Sequence, residues 1–191
     1  MPKNHDYHIL SPSTWPLLAA LAGTAAQAAD YSAGKDSTLG FKAVYMGDSF
    51  EGRFARFTPE IRFDPADLAG SRFDVRIVLA SASTANQERD EMLVGPDFFN
   101  TGAMPEARYQ ASRFSALGGN RFRAEGTLTL NGESRPVPLD FSWTPGTPAV
   151  LEGRATLKRL DFGVGEGDWA DTDLLPNEVE VSTRLELQPK A

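Results

Sequence analysis

From residue 37 onward, apolar and polar positions take turns along the chain. Leu39, Phe41 and Ala43 are separated by Gly40 and Lys42. In residues 72–79, Phe73, Val75, Ile77 and Leu79 fall on one side and Arg72, Asp74 and Arg76 on the other. Residues 121–130 set Phe122, Ala124, Gly126, Leu128 and Leu130 against Arg121, Arg123, Glu125, Thr127 and Thr129. Three later runs share the habit: Val137, Leu139, Phe141 and Trp143; Leu151, Gly153, Ala155 and Leu157; and Val179, Val181, Thr183, Leu185 and Leu187. A period of two buries one face of a strand and wets the other, as in antiparallel sheets. Met46-Gly47-Asp48, Gly118-Gly119-Asn120, Asn131-Gly132 and Pro145-Gly146 supply turn chemistry between the runs. The pattern predicts about eight or nine strands with no internal repeat and no linker. Long strands that bury one face favour a closed barrel, because closure removes exposed edges. A two-sheet sandwich would show the same periodicity.

Residues 89–99, RDEMLVGPDFF, break the alternation. Thr84 followed by Gln87 matches a capping box, with Thr84 as N-cap of a short helix running to about Val94. That helix would carry Met92 and Leu93 on or near its buried side. Gly95 is placed to stop it and Pro96 to open a second helical turn. Phe98 and Phe99 then sit on a plug beside the sheet. They either cap the end of the core or line the mouth of a cavity.

The inward faces bear on that choice. Ala124 and Gly126 lie among larger residues on one strand, and Gly153 and Ala155 on another. Small residues in mid-strand leave volume unfilled. An eight-stranded barrel is near the size at which side chains fill the interior or one small ligand does. The small positions favour a ligand, while Phe141 and Trp143 are bulky enough to occupy the same space. The candidate lining is Phe41, Val75, Ile77, Leu79, Phe122, Leu128, Leu139, Phe141, Trp143, Leu151 and Ala155, with Met92, Phe98 and Phe99 near a mouth. A ten-residue strand spans about 33 Å, less when tilted, so a guest longer than that would fold back or protrude.

Composition narrows the function. The 191 residues suffice for one domain with a sizeable core. A net charge of −7 gives no basic footprint for nucleic acid and no attraction to an anionic membrane. The first 28 residues read as a secretory leader, with an apolar stretch from Trp15 to Ala22 and an Ala26-Gln27-Ala28 cleavage signal before Ala29. That apolar stretch is too short to span a membrane. A mature domain of residues 29–191, periplasmic or secreted, is the expectation. His5 and His8 are the only histidines and fall in the leader, and the chain has no cysteine. Such a mature chain lacks the usual nucleophile-activating bases and the usual zinc ligands. No catalytic residue, metal or cofactor is expected. Asp168, Asp171 and Asp173, with Glu166, do not have EF-hand spacing and read as a solvated acidic loop. Asp90 and Glu91, adjacent on a helix, would diverge, and Asp90 reads as a structural partner of an arginine.

Several segments together carry a resemblance. YSAGKDSTLGFKA, GRFARFTPEIRFDP, RDEMLVGPDFFNTGAMPEARYQAS, GTLTLNGESRPVPLDF and LDFGVGEGDWADTDLLPNEVEV stand in the order and spacing of the YceI-like family of exported lipid- and polyisoprenoid-binding proteins. The resemblance runs from Tyr31 to Leu187. It implies an eight-stranded antiparallel, lipocalin-like barrel around a long apolar tail, with one or two short helices near residues 84–99. Arg89-Asp90 and Asp97-Phe98-Phe99 match the family's segment between strands. Leu128-Thr129-Leu130, Gly132 and Arg135-Pro136-Val137 match its hairpin. Where the family often has histidine, this chain has Met92 and Asn131. The resulting expectation is a non-enzymatic carrier of an isoprenoid or similar lipid. The rival is an interaction protein with a filled barrel, such as a partner of a membrane electron-transfer protein. The identity of the lipid and a homodimer are left open.

Overall fold

The first two long strands of the chain are bent, and the bend decides how the sheet closes. The computed structural model describes residues 28–190; of the expected leader, all but Ala28 lies outside them. Strands β1 (Ala29–Ala33) and β2 (Thr38–Tyr45) run on from one another, as do β3 (Asp48–Phe54) and β4 (Phe57–Phe63). The two bent arms form one long hairpin, with Tyr45 opposite Asp48 at its tip and Ala29 opposite Phe63 at its base. After it come β5 (Arg72–Val78), the two-residue β6 (Ala82–Ser83), helix α1 (Gln87–Leu93), and β7 (Glu106–Gly118). The last four strands are β8 (Arg121–Leu130), β9 (Glu133–Thr144), β10 (Ala149–Lys158) and β11 (Glu178–Pro189).

From the long hairpin onward the strands pair antiparallel in chain order, β4 with β5, β5 with β7, and so on to β11, while the short β6 pairs with β3. The ring closes where β11 meets the first arm, through Ala33 opposite Leu187 on β1 and Phe41 opposite Val181 on β2. Counting each bent arm as one strand, the result is a closed eight-stranded antiparallel barrel, as the periodicity and the resemblance predicted. The sandwich is excluded by the β1–β11 pairing. Turns follow the sequence signals. Asn131 and Gly132 both adopt positive φ between β8 and β9, the type I′ geometry that matches the twist of a hairpin.

The interior falls into two parts. At one end Phe63, 1% exposed, stands at the centre of an aromatic cluster. Its ring lies 5.1 Å from Phe122, 5.1 Å from Phe141 and 5.0 Å from Trp143, centroid to centroid. Ala124, Ala149 and Leu187 complete this packed end. At the other end the inward side chains of the same strands do not meet across the axis. Two segments cover that end: residues 84–104 and residues 159–177.

Candidate functional site

The space beneath this cover is a cavity of about 200 Å³, and its walls are almost wholly apolar. Strand β10 contributes Leu151, Ala155 and Leu157; β9 contributes Val137 and Leu139; β5 contributes Val75 and Ile77. The cover contributes Leu93, Phe98, Phe99, Val164 and Leu175. Ten of the fourteen residues expected to line a cavity do so: Phe41, Val75, Ile77, Leu79, Phe98, Phe99, Leu128, Leu139, Leu151 and Ala155.

Four do not. Phe122, Phe141 and Trp143 belong to the packed end, where they hold Phe63 between them. They share the face of their strands with the cavity residues but stand further along the barrel, a distinction that alternation does not record. Met92 is 39% exposed, on the outer side of α1, while its neighbour Leu93 is buried.

The helix itself starts two residues later than its capping box implies. Its N-cap is Asn86, whose side-chain oxygen accepts from Arg89 N–H at 2.9 Å. Ala85, at φ 59°, turns the chain just before it. Thr84 instead binds Asp90, donating from its backbone N–H at 2.7 Å and its hydroxyl at 2.6 Å. Ser83 donates to the other carboxylate oxygen at 3.1 Å. Hydroxyls and an amide, rather than an arginine, are therefore the hydrogen-bond partners of Asp90. Burial works to raise its pKa, but the Thr84 and Ser83 hydrogen bonds outweigh it and hold the carboxyl below its usual range. Gly95 does end the helix, and tight turns follow it in place of a second helix: Gly95 accepts from Phe98 N–H at 3.2 Å and from Asn100 N–H at 2.8 Å. This hydrogen-bonded knot presses Phe98 and Phe99 onto the cavity, Phe99 against Phe41 and Phe54 and Phe98 against Trp169. The two phenylalanines thus cap the apolar interior and line its open part at once.

The small residues act differently from expectation. A Cβ on Gly126 would fall 2.1 Å from the Tyr109 ring, and one on Gly153 would fall 3.0 Å from Leu139. These glycines make room for a neighbouring side chain, whereas Ala155 faces open cavity. Tyr109 crosses over Gly126, and its hydroxyl donates to the Val137 carbonyl at 3.0 Å. Burial, and secondarily the Glu125 carboxylate, push that hydroxyl well above the usual phenol range.

Arg159 was not expected at the site. It is 3% exposed and reaches the cavity wall. Its guanidinium donates to the carbonyls of Val164 at 3.0 Å, Gly165 at 2.5 Å, Trp169 at 2.8 Å, Leu175 at 2.6 Å and Pro176 at 3.2 Å. Gly165, at φ 70°, brings its backbone so close that a Cβ would lie 2.7 Å from the guanidinium. Five carbonyl dipoles stand in for a counter-ion, and burial lowers the pKa without a carboxylate to oppose it. Phe50, Phe54 and Phe57 also line the cavity and went unassigned. Phe50, Gly52 and Phe54 do alternate, so that signal was available.

Among the described residues, no buried side-chain nitrogen or oxygen lacks a hydrogen-bond partner. Every polar group at the wall is already engaged, so the cavity offers a guest apolar contact and little else.

The YceI-like domain model matches residues 32–187. The chain belongs to the YceI-like family. A UPF0312 protein of Pseudomonas paraeruginosa is 34% identical over 175 residues, covering 85% of this chain and 87% of the relative. A UPF0312 protein of Vibrio cholerae is 28% identical over 164 residues, covering 78% and 87%. Among solved structures, Burkholderia cenocepacia BcnA superposes with a TM-score of 0.75 at 28% identity, over 78% of this chain and 94% of BcnA. A polyisoprenoid-binding domain from Saccharophagus degradans, implicated in plant cell wall breakdown, gives a TM-score of 0.66 at 17% identity. It covers 85% of this chain and 99% of that domain, and shows the shared YceI-like fold. No helix among the described residues is long and apolar enough to cross a membrane.

Proposed function

We propose that this protein is an exported, non-enzymatic carrier that holds the tail of an isoprenoid or similar lipid in its barrel. The supporting observation is the cavity: an apolar space with every polar group at its wall engaged, which water occupies poorly and a hydrocarbon chain occupies well. The likeness to a fold that binds polyisoprenoid in Saccharophagus degradans supports the choice of tail. Affinity would come from apolar burial, at roughly 25 cal/mol per Å² before ordering costs. The filled-barrel rival describes the Phe63 end and not the other.

Native mass spectrometry of protein purified from its host, followed by solvent extraction, tests the carrier. An adduct that partitions into the solvent as an apolar chain is the expected result. A homogeneous unliganded mass with an empty extract would refute the carrier. Export is tested separately, by N-terminal sequencing of protein from an extracytoplasmic fraction. The mature chain should begin at or near Ala29, and a cytosolic chain still carrying Lys3 would refute export.

A further inference from the structure

The turn between β2 and β3 carries an unusual residue. Met46 and Gly47 both adopt positive φ, 51° and 86°, the geometry also found at Asn131 and Gly132. Such a turn favours asparagine or aspartate ahead of its glycine, and the β8–β9 turn has asparagine there. Here the position is held by a methionine, whose left-handed backbone is strained. Its side chain is 65% exposed, more than any other large apolar side chain among the described residues. Folding alone accounts for neither fact. Met46 also has apolar company. Its N–H donates to the Leu174 carbonyl at 2.8 Å, which ties the turn to the covering segment of residues 159–177. Leu174 is exposed, and so is Tyr45, whose ring lies 6.1 Å from that of the half-buried Trp169. Tyr45, Met46, Trp169 and Leu174 thus make one outward apolar patch. Exposed apolar patches mark interaction sites, and methionine and aromatic side chains are what protein interfaces concentrate.

Charge decides what covers this patch. Asp48 stands opposite Tyr45 across the hairpin, Asp168 precedes Trp169, and Asp171 and Asp173 precede Leu174; all four are exposed. Residues 160–178 contain Asp161, Glu166, Asp168, Asp171, Asp173 and Glu178 and neither lysine nor arginine. The flanking cations do not offset them. Lys42 lies opposite Glu51 and Glu180, Lys158 lies opposite Glu178, and Arg159 is buried among carbonyls. A second copy of the chain would bring the same carboxylates face to face. An anionic membrane surface would be repelled for the same reason. We propose that the patch is a docking site for a partner protein, one that offers Met46 an apolar pocket inside a rim of lysine and arginine. Opposite charges steer such a partner in, and the apolar centre holds it. The surface lies outside the barrel and is independent of what the cavity holds.

A carbodiimide, which joins a carboxylate directly to a lysine amine, tests this on the natural protein in an extract of its host. Mass spectrometry of the joined peptides should show one partner, linked through its lysines to Asp48, Asp168, Asp171 or Asp173. The purified partner should bind about tenfold more weakly at about 1 M salt than at about 0.01 M. Met46→Asn is the deciding variant. It gives the turn its favoured residue, so the melting temperature should hold or rise, while partner binding should fall about tenfold or more. A lowered melting temperature with unchanged binding would make Met46 a structural residue and overturn the proposal. Links that map elsewhere on the barrel, or none at all, overturn it too. So does flotation with phosphatidylcholine or phosphatidylglycerol vesicles, or dimerisation in sedimentation, that Met46→Asn abolishes; these assign the patch to a lipid surface or to a second copy. If Met46→Asn does not fold, Leu174→Ser, exposed and outside every strand, carries the binding test alone.

Discussion

Ala155 carries nothing beyond its Cβ, and the space in front of it is empty. Ala155→Phe should place a ring where the tail would lie. The melting temperature of the delipidated protein should change little, while lipid recovered per chain falls sharply. A strongly lowered melting temperature with unchanged lipid would show that no free space exists there. Gly126→Ala should do the reverse. Its Cβ meets the Tyr109 ring at 2.1 Å, so the substitution overpacks a filled position and should cost about 1–3 kcal/mol in chemical denaturation. The two positions look alike in sequence, each a small residue inside an alternating strand. What separates them is the side chain on the adjacent strand. Tyr109 pairs directly with Leu128 and leans across Gly126. Alternation tells which face a residue occupies and says nothing of which neighbour leans over it.

At the scale of elements, the covering segment after β10 is gathered around one side chain, which binds five of its carbonyls. Arg159→Met keeps most of the apolar stem and removes every donor, leaving five carbonyls without their partner. The expected cost is about 3 kcal/mol or more, since each buried acceptor left unpaired is expensive. Amide exchange should accelerate at Val164 and Leu175 more than at the strands. Uniform exchange rates would deny Arg159 this anchoring role. The strands were legible because one-faced burial imposes period two, and the turns because their residues permit positive φ. The cover was legible only as a break. Its helix cap moved from Thr84 to Asn86 because Asp90 claims Thr84. In β7, the irregularity between Ala111 and Phe114 shifts the phase so that the inward face is not continuous. Arg159 stayed hidden because an arginine after a strand normally points to water, and its partners are backbone carbonyls that any sequence would provide.

Across the whole molecule, charged pairs brace the outer surface. Arg123 and Asp140, directly opposite on β8 and β9, share two hydrogen bonds of 2.6 and 2.8 Å. Arg108 grips Asp74 in the same two-pronged way. Each arginine, chiefly through these hydrogen bonds, holds its carboxyl below the ordinary value of 3.8. A carboxyl depressed in the folded state adds stability that is full above its unfolded pKa and is lost as pH falls through its folded one. Stability should therefore hold down to about pH 4 and decline below it. Asp74→Asn and Asp140→Asn should each flatten that acid limb in urea titrations. Unchanged slopes in both would show that the pairs contribute nothing to acid sensitivity.

The aromatic stopper around Phe63 also makes the barrel a ruler. From Leu151, beside the stopper, to Leu157, beneath the cover, β10 advances roughly 20 Å along its length. Lengthening a straight-chain guest should strengthen binding by a constant factor per carbon until the tip touches the rings. Beyond that point each further carbon must stay outside, and the gain should stop abruptly. Phe63→Ala, at about 3–5 kcal/mol of stability, should move the stopping point to longer chains. A guest series that gains steadily past the predicted length in the natural protein would mean that the stopper yields.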